Sequence, residues 1–396
     1  MKTKNVIPYG RQEITSEDIN NVINTLTSDF LTQGPKIEEF ERDFSNYVDA
    51  KYAVAVSNGT AALHLCCLAL GLKKGDKVIT SPLTFVASAN CIEYCGAEVV
   101  FADIDRDTYL IDFDHVKNLL EADKNNKIKG IVAVDFAGRA VNLEKFNKLA
   151  KKYNIWIIED SCHAPGGYFN DSNNNMQLCG NGSYADLSIF SFHPVKHIAT
   201  GEGGMVTTSS KVLYEKVKNL RTHGITKEAE QFTNTIEEAG GVEMYPQWYM
   251  EMQSLGYNYR ITDFQAALGI SQLKRAKYNL DKRKEIAYRY REAFNKSDYI
   301  TLKATQDEGH AYHLFVIETP KRLELYEYLR SKNIYAQVHY YPCHLMPYYK
   351  KKGFRKGDYP RVEDYYSKCL SLPMYPTLKK EQQNYIISSI NEFFKQ

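Results

Sequence analysis

Short apolar runs rich in valine and isoleucine recur through the first half of the chain, and segments with helical periodicity lie between most of them. The runs that predict strands are Tyr52–Val56, Lys77–Ser81, Glu98–Ala102, Gly130–Val134, Ile155–Glu159, Leu187–Phe192 and Gly204–Thr208. The helical patterns include Ala61–Leu70 and Leu143–Tyr153. Strands that are almost continuously apolar are buried on both faces. The pattern therefore predicts an α/β fold with a mainly parallel sheet and right-handed crossovers.

The pattern of hydrophobic and charged residues changes after about Leu255. A long, highly charged helical pattern covers Asp263–Phe294, and strand-like pieces follow at His313–Glu318 and Ala336–Tyr340. A chain of 396 residues also exceeds the size of a single core. We therefore predict a large domain over residues 1–255 and a smaller α+β domain over residues 256–396.

The segment Asn170–Gly182 is rich in asparagine and glycine and predicts an exposed loop. The eight cysteines have neither the spacing of a disulfide framework nor that of a metal site. Cys66 and Cys67 are adjacent in an apolar run, so buried small hydrophobes are the better interpretation. We predict no metal ligands.

Composition excludes several classes of partner. The chain is 43% hydrophobic and 25% charged, as ordinary globular proteins are, and its formal net charge of +2 indicates no nucleic-acid or membrane partner. No apolar run approaches the roughly 20 residues of a membrane span. The N-terminal segment Met1–Pro8 lacks the apolar stretch of a signal peptide. We therefore expect a cytoplasmic protein.

The segment Ser57–Leu63, Ser-Asn-Gly-Thr-Ala-Ala-Leu, directly follows the first predicted strand and opens a helix. Small residues at a helix N-terminus let backbone N–H groups approach an anion, and the helix dipole favours the negative charge. The alternative is a tight strand-to-helix turn, because short turns that contain glycine are common. Taken alone, the segment favours the turn.

Two acidic residues end the apolar run in Ile157–Ala164, Ile-Ile-Glu-Asp-Ser-Cys-His-Ala. They lie at the C-terminal end of a predicted strand, where open α/β sheets bind ligands. An ionised Asp160 at this position can pair with a cationic ligand nitrogen, such as a protonated pyridine. A helix N-cap formed by Asp160 or Ser161 is an equally good interpretation.

A lysine follows the predicted strand in Leu187–Lys196, Leu-Ser-Ile-Phe-Ser-Phe-His-Pro-Val-Lys, and the bend Gly201–Gly204 comes next. A lysine held between a strand and a glycine-rich bend is partly desolvated, which lowers its pKa and makes a neutral amine available for a Schiff base. Most lysines are solvated surface charges. Ser191, whose hydroxyl can bind a phosphate, favours the functional interpretation here.

Together the three signals match the requirements of one cofactor. Pyridoxal 5'-phosphate (PLP) needs a phosphate site, a counter-ion for its pyridinium nitrogen and an amine for its aldehyde. The chain offers an anion cradle, the strand-end carboxylate of Asp160 and, 36 positions later, the amine of Lys196. Three ordered coincidences are much less probable than one, so we predict a PLP enzyme.

At these residues the chain resembles the DegT/StrS-type family of fold-type-I PLP enzymes, which are nucleotide-sugar aminotransferases. The resemblance covers nearly the whole chain. Its motifs are Leu31–Gly34, Phe40–Glu41, Ser57–Leu63, Pro82–Ser88, Glu159–Ala164, Ser191–Lys196, Gly201–Gly204, Leu220–Gly224, Gly256–Arg260 and Leu372–Pro373. It implies a fold-type-I PLP transferase, with a mainly parallel mixed seven-stranded sheet in the large domain and a smaller α+β C-terminal domain.

The resemblance also implies a role for each cofactor-binding residue. Lys196 is implied to hold PLP as a Schiff base and to carry protons. Asp160 is implied to pair with the pyridinium nitrogen, and His163 to lie near the ring hydroxyl. Phe85 is implied to stack on the ring, although core packing is a rival explanation for any single phenylalanine.

The phosphate is implied to bind Gly59, Thr60 and Ser191. The family resemblance further implies that Asn258 reaches this phosphate from the partner subunit, so that the active site requires a homodimer. A turn residue is the alternative for Asn258, because Gly256-Tyr-Asn is a turn-like sequence.

Within the family the chain is most similar to the 4-aminotransferases of pseudaminic-acid biosynthesis. These enzymes make UDP-4-amino-4,6-dideoxy-N-acetyl-β-L-altrosamine from a 4-keto sugar, with L-glutamate as the amino donor. The residues implied to contact the nucleotide sugar are Tyr9, Asp29, Phe30, Leu31, Thr32, Gln337, Val338, His339 and Tyr340. The segment Gln337–Tyr340 also fits a plain alternating strand.

Three alternatives compete with this prediction. A family member that aminates another 4-keto or 3-keto nucleotide sugar stays open, because specificity depends on pocket shape. A related PLP-dependent dehydratase carries histidine in place of the Schiff-base lysine, whereas Lys196 is intact here. A nicotinamide-dependent oxidoreductase requires Gly-x-Gly-x-x-Gly after the first strand, where this chain has Ser57-Asn-Gly-Thr60.

Overall fold

The computed structural model describes residues 6–303 and 308–395, so residues 1–5 of the N-terminal segment lie outside the described residues. The strands are β1 (Tyr52–Val56), β2 (Lys77–Thr80), β3 (Glu98–Phe101), β4 (Ile128–Val134), β5 (Trp156–Asp160), β6 (Tyr168–Asn170), β7 (Met176–Leu178), β8 (Leu187–Ser191), β9 (Gly204–Thr208), β10 (Ile225–Thr226), β11 (Glu251–Met252), β12 (Phe315–Glu318) and β13 (Cys369–Leu372).

The helices are α1 (Ser16–Leu26), α2 (Pro35–Val48), α3 (Gly59–Ala69), α4 (Ala87–Tyr94), α5 (Phe113–Ala122), α6 (Leu143–Tyr153), α7 (Lys211–Arg221), α8 (Asp263–Lys274), α9 (Ala276–Phe294), α10 (Arg322–Ser331), α11 (Pro347–Lys350), α12 (Pro360–Lys368) and α13 (Lys380–Lys395). Short 3₁₀ turns cover Phe136–Gly138, Ala229–Gln231 and Cys343–Leu345.

A seven-stranded sheet in the order β1-β9-β8-β5-β4-β2-β3 forms the centre of the fold. Neighbouring strands from β8 to β3 pair in parallel, and β9 is antiparallel to both β1 and β8. The predicted α/β class, the mixed but mainly parallel sheet and its seven strands are confirmed. The strand bounds agree with the sequence pattern to within two residues.

Alternation along each strand divides the apolar side chains between two cores. Val132 and Ile158 face the core that contains helices α3 and α4. Their neighbours Ile131 and Ile157 face the opposite core, which contains helices α5 and α6. Successive side chains of a strand point to opposite faces, so these strands are apolar on both sides and buried on both sides.

The C-terminal part contains the antiparallel pair β12 and β13, with Ile317 opposite Leu370. Both side chains pack in a third core with residues of α9, α10 and α13, including Ile286, Leu325 and Ile386. The first core also contains Cys343 from this part of the chain. The predicted domain boundary between residues 255 and 256 stays a prediction.

The single helix predicted over Asp263–Phe294 is wrong, because α8 and α9 are separated at Arg275. Arg275 leaves the helical conformation with φ −101° and ψ 2°. Its guanidinium donates to the carboxylates of Glu13 and Asp18, both at 2.9 Å. These ionic contacts hold the break and attach the N-terminal segment to the two helices.

The strand predicted over Ala336–Tyr340 is also wrong. Only Gln337 forms a β-bridge there, with Ser371. The polar groups of His339 bond to side chains instead. Its carbonyl accepts a hydrogen bond from the Tyr365 hydroxyl at 2.7 Å, and its ring contacts the Ser371 hydroxyl at 2.9 Å. Side-chain partners replace the backbone ladder that a strand would need.

The segment Asn170–Gly182 is not a plain exposed loop. It contains β7 and the end of β6, which form a hairpin, and Cys179 is buried. The carboxylate of Asp171 accepts the N–H groups of Asn173 and Asn175 at 3.0 and 2.9 Å. An aspartate that binds the backbone of its own turn stabilises that turn, and this explains the order of the segment.

A largely buried ion pair attaches the outer helices to the first strand. Arg221 of α7 donates to Glu41 of α2 at 2.6 Å and to the carbonyl of Ala55 in β1 at 2.8 Å. Glu41 also accepts the N–H of Ala55 at 2.8 Å. Burial raises the pKa of Glu41, and the charge of Arg221 opposes this rise. The pair fixes β1, whose end leads into the candidate site.

Candidate active site

A cavity of about 680 Å³ lies at the carboxyl ends of the parallel strands. The turns that follow β1, β2, β5 and β8 form most of its wall, because the carboxyl ends of parallel strands share one edge of a sheet. The predicted site residues that line it are Tyr9, Gly59, Thr60, Phe85, Asp160, His163, Ser191, Lys196, His339 and Tyr340.

The N-terminus of α3 forms one end of the cavity. The side chain of Asn58 caps the helix by accepting the N–H of Ala61 at 2.8 Å, while the first N–H groups of a helix have no partner within it. A Cβ on Gly59 would lie 3.0 Å from the Cβ of Ser191, so glycine keeps the gap between helix and strand open. Gly59 and Thr60 line the cavity, and their N–H groups at the helix start, with the Ser191 hydroxyl, suit a phosphate.

Asp160 lies at the end of β5 and is only 5% exposed. Its Oδ2 accepts the hydroxyl of Ser88 at 2.6 Å, and its Oδ1 accepts the N–H of Cys162 at 3.2 Å. Two donors on the protein side hold the carboxylate in one orientation, with its remaining lone pairs available to the cavity. This geometry suits a ligand cation.

Lys196 follows β8 in a turn closed by its own N–H, which donates to the carbonyl of His193 at 2.8 Å. Burial lowers the pKa of Lys196, and the charge of Arg283 acts in the same direction. Cys162 and Asp160 oppose this effect only in part. A lysine with a lowered pKa presents a larger fraction of neutral amine, which is the nucleophilic form.

His163 has partners on both ring nitrogens. Nδ1 accepts the N–H of Ala137 at 3.2 Å, so the neutral ring carries its proton on Nε2, which lies 3.3 Å from the hydroxyl of Tyr340. Burial holds the pKa of His163 well below its usual range. His163 therefore presents a neutral N–H to the cavity.

The C-terminal part of the chain closes the cavity with histidines. The ring of His313 lies 4.3 Å from that of His163, between centroids. The ring of His339 lies 5.4 Å from that of Tyr9, between centroids, at a tilt of 53°, and burial lowers the pKa of His339 to about 3. These rings are neutral at ordinary pH and give the cavity polar groups that carry no charge.

Several predicted residues do not line this cavity. Asn258 is exposed and forms a bridge with Thr222. Phe30 and Leu31 are 52% and 50% exposed. The predicted residues outside the cavity are Asp29, Phe30, Leu31, Thr32, Asn258, Gln337 and Val338. Asp29 and Phe30 border a separate cavity of about 270 Å³ beside α1.

Sequence reasoning missed other lining residues. Thr84 and Ser88 belong to the motif Pro82–Ser88, but a hydroxyl in a helix start gives no sign of a distant partner. His313 opens a predicted strand, and its place in the cavity depends on how the C-terminal part packs. The lining residues that were missed include Thr84, Ser88, Tyr94, Cys162, His193, Glu202, Tyr259 and His313.

A buried acidic cluster lies on the other side of β5. Ligand atoms of Asp135, Glu159 and Cys179 lie within 4.8 Å of one another. Asp135 accepts the Ser161 hydroxyl at 2.9 Å, and Glu159 accepts the Ser188 hydroxyl at 2.6 Å. Burial and the charge of Glu159 raise the pKa of Asp135 well above its usual value. Two carboxyls packed together disfavour double ionisation, so this arrangement favours a proton shared between Asp135 and Glu159.

Among the described residues, every helix is too short or too polar to cross a membrane.

The chain matches the model of the DegT/DnrJ/EryC1/StrS aminotransferase family over residues 12–391. It is 38% identical over 403 residues to the spore coat polysaccharide biosynthesis protein SpsC of Bacillus subtilis, with coverage of 100% of this chain and 98% of that protein. It is 37% identical over 388 residues to the UDP-4-amino-4,6-dideoxy-N-acetyl-beta-L-altrosamine transaminase of Campylobacter jejuni, with 96% of both chains covered.

Solved structures share the fold over almost the whole chain. Spr1654 from Streptococcus pneumoniae in its PMP form gives a TM-score of 0.87 at 30% identity, covering 98% of this chain and 99% of that chain. Helicobacter pylori PseC, an aminotransferase involved in the biosynthesis of pseudaminic acid, gives a TM-score of 0.85 at 32% identity, with coverage of 98% and 99%. The predicted fold-type-I class is confirmed by these neighbours.

The shared proton of the acidic cluster generates a pH-dependent prediction for Asp135→Asn. The unfolded chain ionises Asp135 above about pH 4, whereas the folded chain keeps it protonated. The free energy of unfolding of the native protein therefore falls as pH rises from 5 to 8, by up to about 1.4 kcal/mol per pH unit from this group. Asparagine cannot ionise, so the variant gains stability relative to the native protein across this window, as measured by urea unfolding.

Asp171→Asn is the matched control. Hydrogen bonds lower the pKa of Asp171, so this carboxyl is ionised in both states between pH 5 and 8 and its stability difference stays constant there. A difference for Asp135→Asn that does not change with pH would contradict the shared proton.

Proposed function

The chain belongs to the DegT/DnrJ/EryC1/StrS aminotransferase family, and from this premise we propose that it moves an amino group from L-glutamate to C4 of a UDP-4-keto-6-deoxy-N-acetyl sugar. The product is UDP-4-amino-4,6-dideoxy-N-acetyl-β-L-altrosamine, for pseudaminic-acid biosynthesis. As a member of this family the protein is a PLP-dependent sugar aminotransferase. PLP, when bound, supplies an aldehyde that takes up the amino group and a ring that accepts electrons.

One observation carries the proposal. The amide end of α3, the carboxylate of Asp160 and the amine of Lys196 border a single cavity. These are the groups that a phosphate, a pyridinium and an aldehyde require, and they come from the ends of β1, β5 and β8. The cavity of about 680 Å³ also leaves room for a sugar beside the cofactor.

The phosphate end of the site uses backbone and hydroxyl donors. In the proposal, the N–H groups of Gly59 and Thr60 and the hydroxyl of Ser191 bind the phosphate. Gly204 supports this end, because a Cβ there would lie 2.7 Å from the carbonyl of Asn58. Amide donors at a helix start bind an anion without a change in their own charge.

At the ring end, Asp160 pairs with the protonated ring nitrogen and keeps the ring electron-poor. Phe85 is 59% exposed, although it borders the cavity, and its exposed ring offers a stacking face. The neutral N–H of His163 donates toward the ring hydroxyl. Each of these groups orients the cofactor without carrying the reacting proton.

Lys196 carries the chemistry. Its neutral amine would hold the cofactor through the aldehyde, and as a free amine it would move a proton at the substrate carbon in both halves of a ping-pong reaction. Burial lowers the pKa values of His163, His313 and His339, which line the same cavity. They are thus poor proton carriers at neutral pH, which leaves this role to the lysine.

The proposed homodimer completes the site with Asn258 of the partner subunit. The segment between α7 and α8 exposes large apolar side chains, since Val242, Trp248 and Leu255 are 96%, 79% and 77% exposed. Phe30 and Leu31 add further exposed apolar surface. Surfaces of this kind mark protein interaction sites, and a second copy that covers them would bring its exposed Asn258 toward a neighbouring cavity.

The substrate assignment draws on the relatives. The Campylobacter jejuni relative is named as the altrosamine transaminase, and PseC is described as an aminotransferase of pseudaminic-acid biosynthesis. In the proposal, Tyr9, His339 and Tyr340 contact the sugar, and all three line the cavity. A cytoplasmic location accompanies the proposal, since all eight cysteines are free thiols.

Lys196→Ala should abolish the visible absorption band of the lysine-bound cofactor and lower turnover by at least about a thousandfold, because Lys196 is the one lysine among the described residues that lines the cavity. Borohydride reduction of the native holoenzyme should leave the pyridoxyl label on the peptide that contains Lys196, as read by mass spectrometry. Lys211→Ala, at an exposed position of α7, is the control and should keep both band and turnover. A label on another peptide would overturn the role of Lys196.

Hybrid dimers test the placement of Asn258. Lys196→Ala and Asn258→Ala are each expected to be inactive or nearly so. If the asparagine acts in the partner's site, mixing the two variants at equal amounts under subunit exchange restores about a quarter of native activity, because half the dimers are hybrids with one intact site each. Mixtures that stay inactive, although mass spectrometry shows hybrid dimers, would contradict a shared site.

A panel of nucleotide sugars tests the substrate. The protein with PLP and L-glutamate should aminate the UDP-linked 4-keto-6-deoxy-N-acetyl sugar at C4, with the product identified by NMR and mass spectrometry. We expect at least about tenfold lower kcat/KM for dTDP-linked 4-keto sugars and for 3-keto sugars, since lost pocket contacts are worth 1–3 kcal/mol. Preferred amination of one of those sugars would replace the proposed substrate but leave the aminotransferase activity standing.

A further inference from the structure

The buried hydroxyls of Thr84 and Ser88 form a chain that ends on the carboxylate of Asp160. Ser88 donates from Oγ to Oδ2 of Asp160 at 2.6 Å. The hydroxyls of Thr84 and Ser88 lie 2.8 Å apart. Thr84 is 2% exposed and Ser88 is 1% exposed, so both residues are buried.

The direction of this chain follows from the number of protons. A carboxylate only accepts hydrogen bonds, so the single hydroxyl proton of Ser88 points to Asp160. Ser88 must then accept from Thr84, and the order is Thr84 to Ser88 to Asp160. Consecutive hydrogen bonds of one polarity strengthen each other, and a bond to a charged acceptor is stronger than a neutral one.

We propose that Ser88, held by Thr84, is a positioning residue that orients the Asp160 carboxylate toward the cofactor ring nitrogen. A serine in the first turn of a helix usually bonds its own backbone. Ser88 bonds a side chain 72 residues away instead. Phe85 lies between Thr84 and Ser88, so the same turn also carries the phenyl ring that is proposed to stack on the cofactor. The turn thereby links the contact with the face of the cofactor ring to the contact with its nitrogen. The proposal rests on the function proposed above for Asp160.

The test measures cofactor binding and ring protonation, without any sugar. Ser88→Ala should raise the dissociation constant for PLP about tenfold to a hundredfold, as expected for a lost hydrogen bond to a charged group. With PLP labelled with ¹⁵N in the ring, the ¹⁵N chemical shift at a fixed, mildly alkaline pH should show a smaller protonated fraction. Ser88→Thr keeps the hydroxyl and should restore both values.

Thr84→Val preserves the shape of threonine and should change both values in the same direction by less. If Ser88→Ala does not fold, Thr84→Val still tests the proposal through the same two measurements. Ser81→Ala is the matched control, since Ser81 is a buried serine of the same segment whose hydroxyl accepts from Leu83 at 3.0 Å and does not contact Asp160. This control should leave PLP affinity and the ¹⁵N shift unchanged.

Three outcomes would overturn the proposal. The first is native PLP affinity and a native ¹⁵N shift in both Ser88→Ala and Thr84→Val. The second is an equal effect in Ser81→Ala, which would indicate general loosening of the segment and should also lower the unfolding midpoint of the apoprotein. The third is an unchanged ¹⁵N shift in Asp160→Asn, which would also remove the proposed role of Asp160. If the ¹⁵N shift changes in Asp160→Asn but not in the Ser88 and Thr84 variants, only the role of Ser88 is refuted.

Discussion

The common direction of the strands that carry the site is the constraint on which the rest of the structure depends. Strands that run in parallel end at one edge of the sheet, so residues far apart in sequence meet there. Gly59 and Lys196 each follow such a strand closely, and Asp160 is the last residue of one. The antiparallel strand β9 adds to this arrangement. Its Gly204 pairs with both Val56 and Ser191, and the absence of a side chain there lets the backbone segments at the phosphate end lie close together.

Alternation along β5 separates two acidic side chains that are adjacent in sequence. Asp160 faces the cavity, where its charge is available to a ligand. Glu159 faces the opposite side, where Asp135 shares a proton with it and the hydroxyl of Ser188 satisfies it. Two unpaired buried carboxylates would be costly. The strand therefore directs one carboxyl group to the cavity and the other to the buried acidic cluster.

The described chain leaves several of the predicted site residues outside its own cavity. The strand ends, the histidines of the C-terminal part and Tyr9 provide its wall. Asn258 and the segment from Asp29 to Thr32 are exposed elsewhere on the same chain. An obligate assembly of two copies accounts for both facts under the proposed function, since residues that a single chain leaves outside its own cavity are available to the cavity of a neighbour.

The sequence alone determined the seven strands and the sheet class, because local apolar runs mark the strands, and it indicated Asp160 and Lys196 because they lie shortly after two of these runs. Only the tertiary structure decided the break at Arg275, the irregular course of Ala336–Tyr340 and the bond from Ser88 to Asp160. Each of these depends on a side chain brought close by packing from a distant part of the sequence. Periodicity indicates which face of an element is buried, but it does not indicate which polar group from a distant part of the sequence will contact that element.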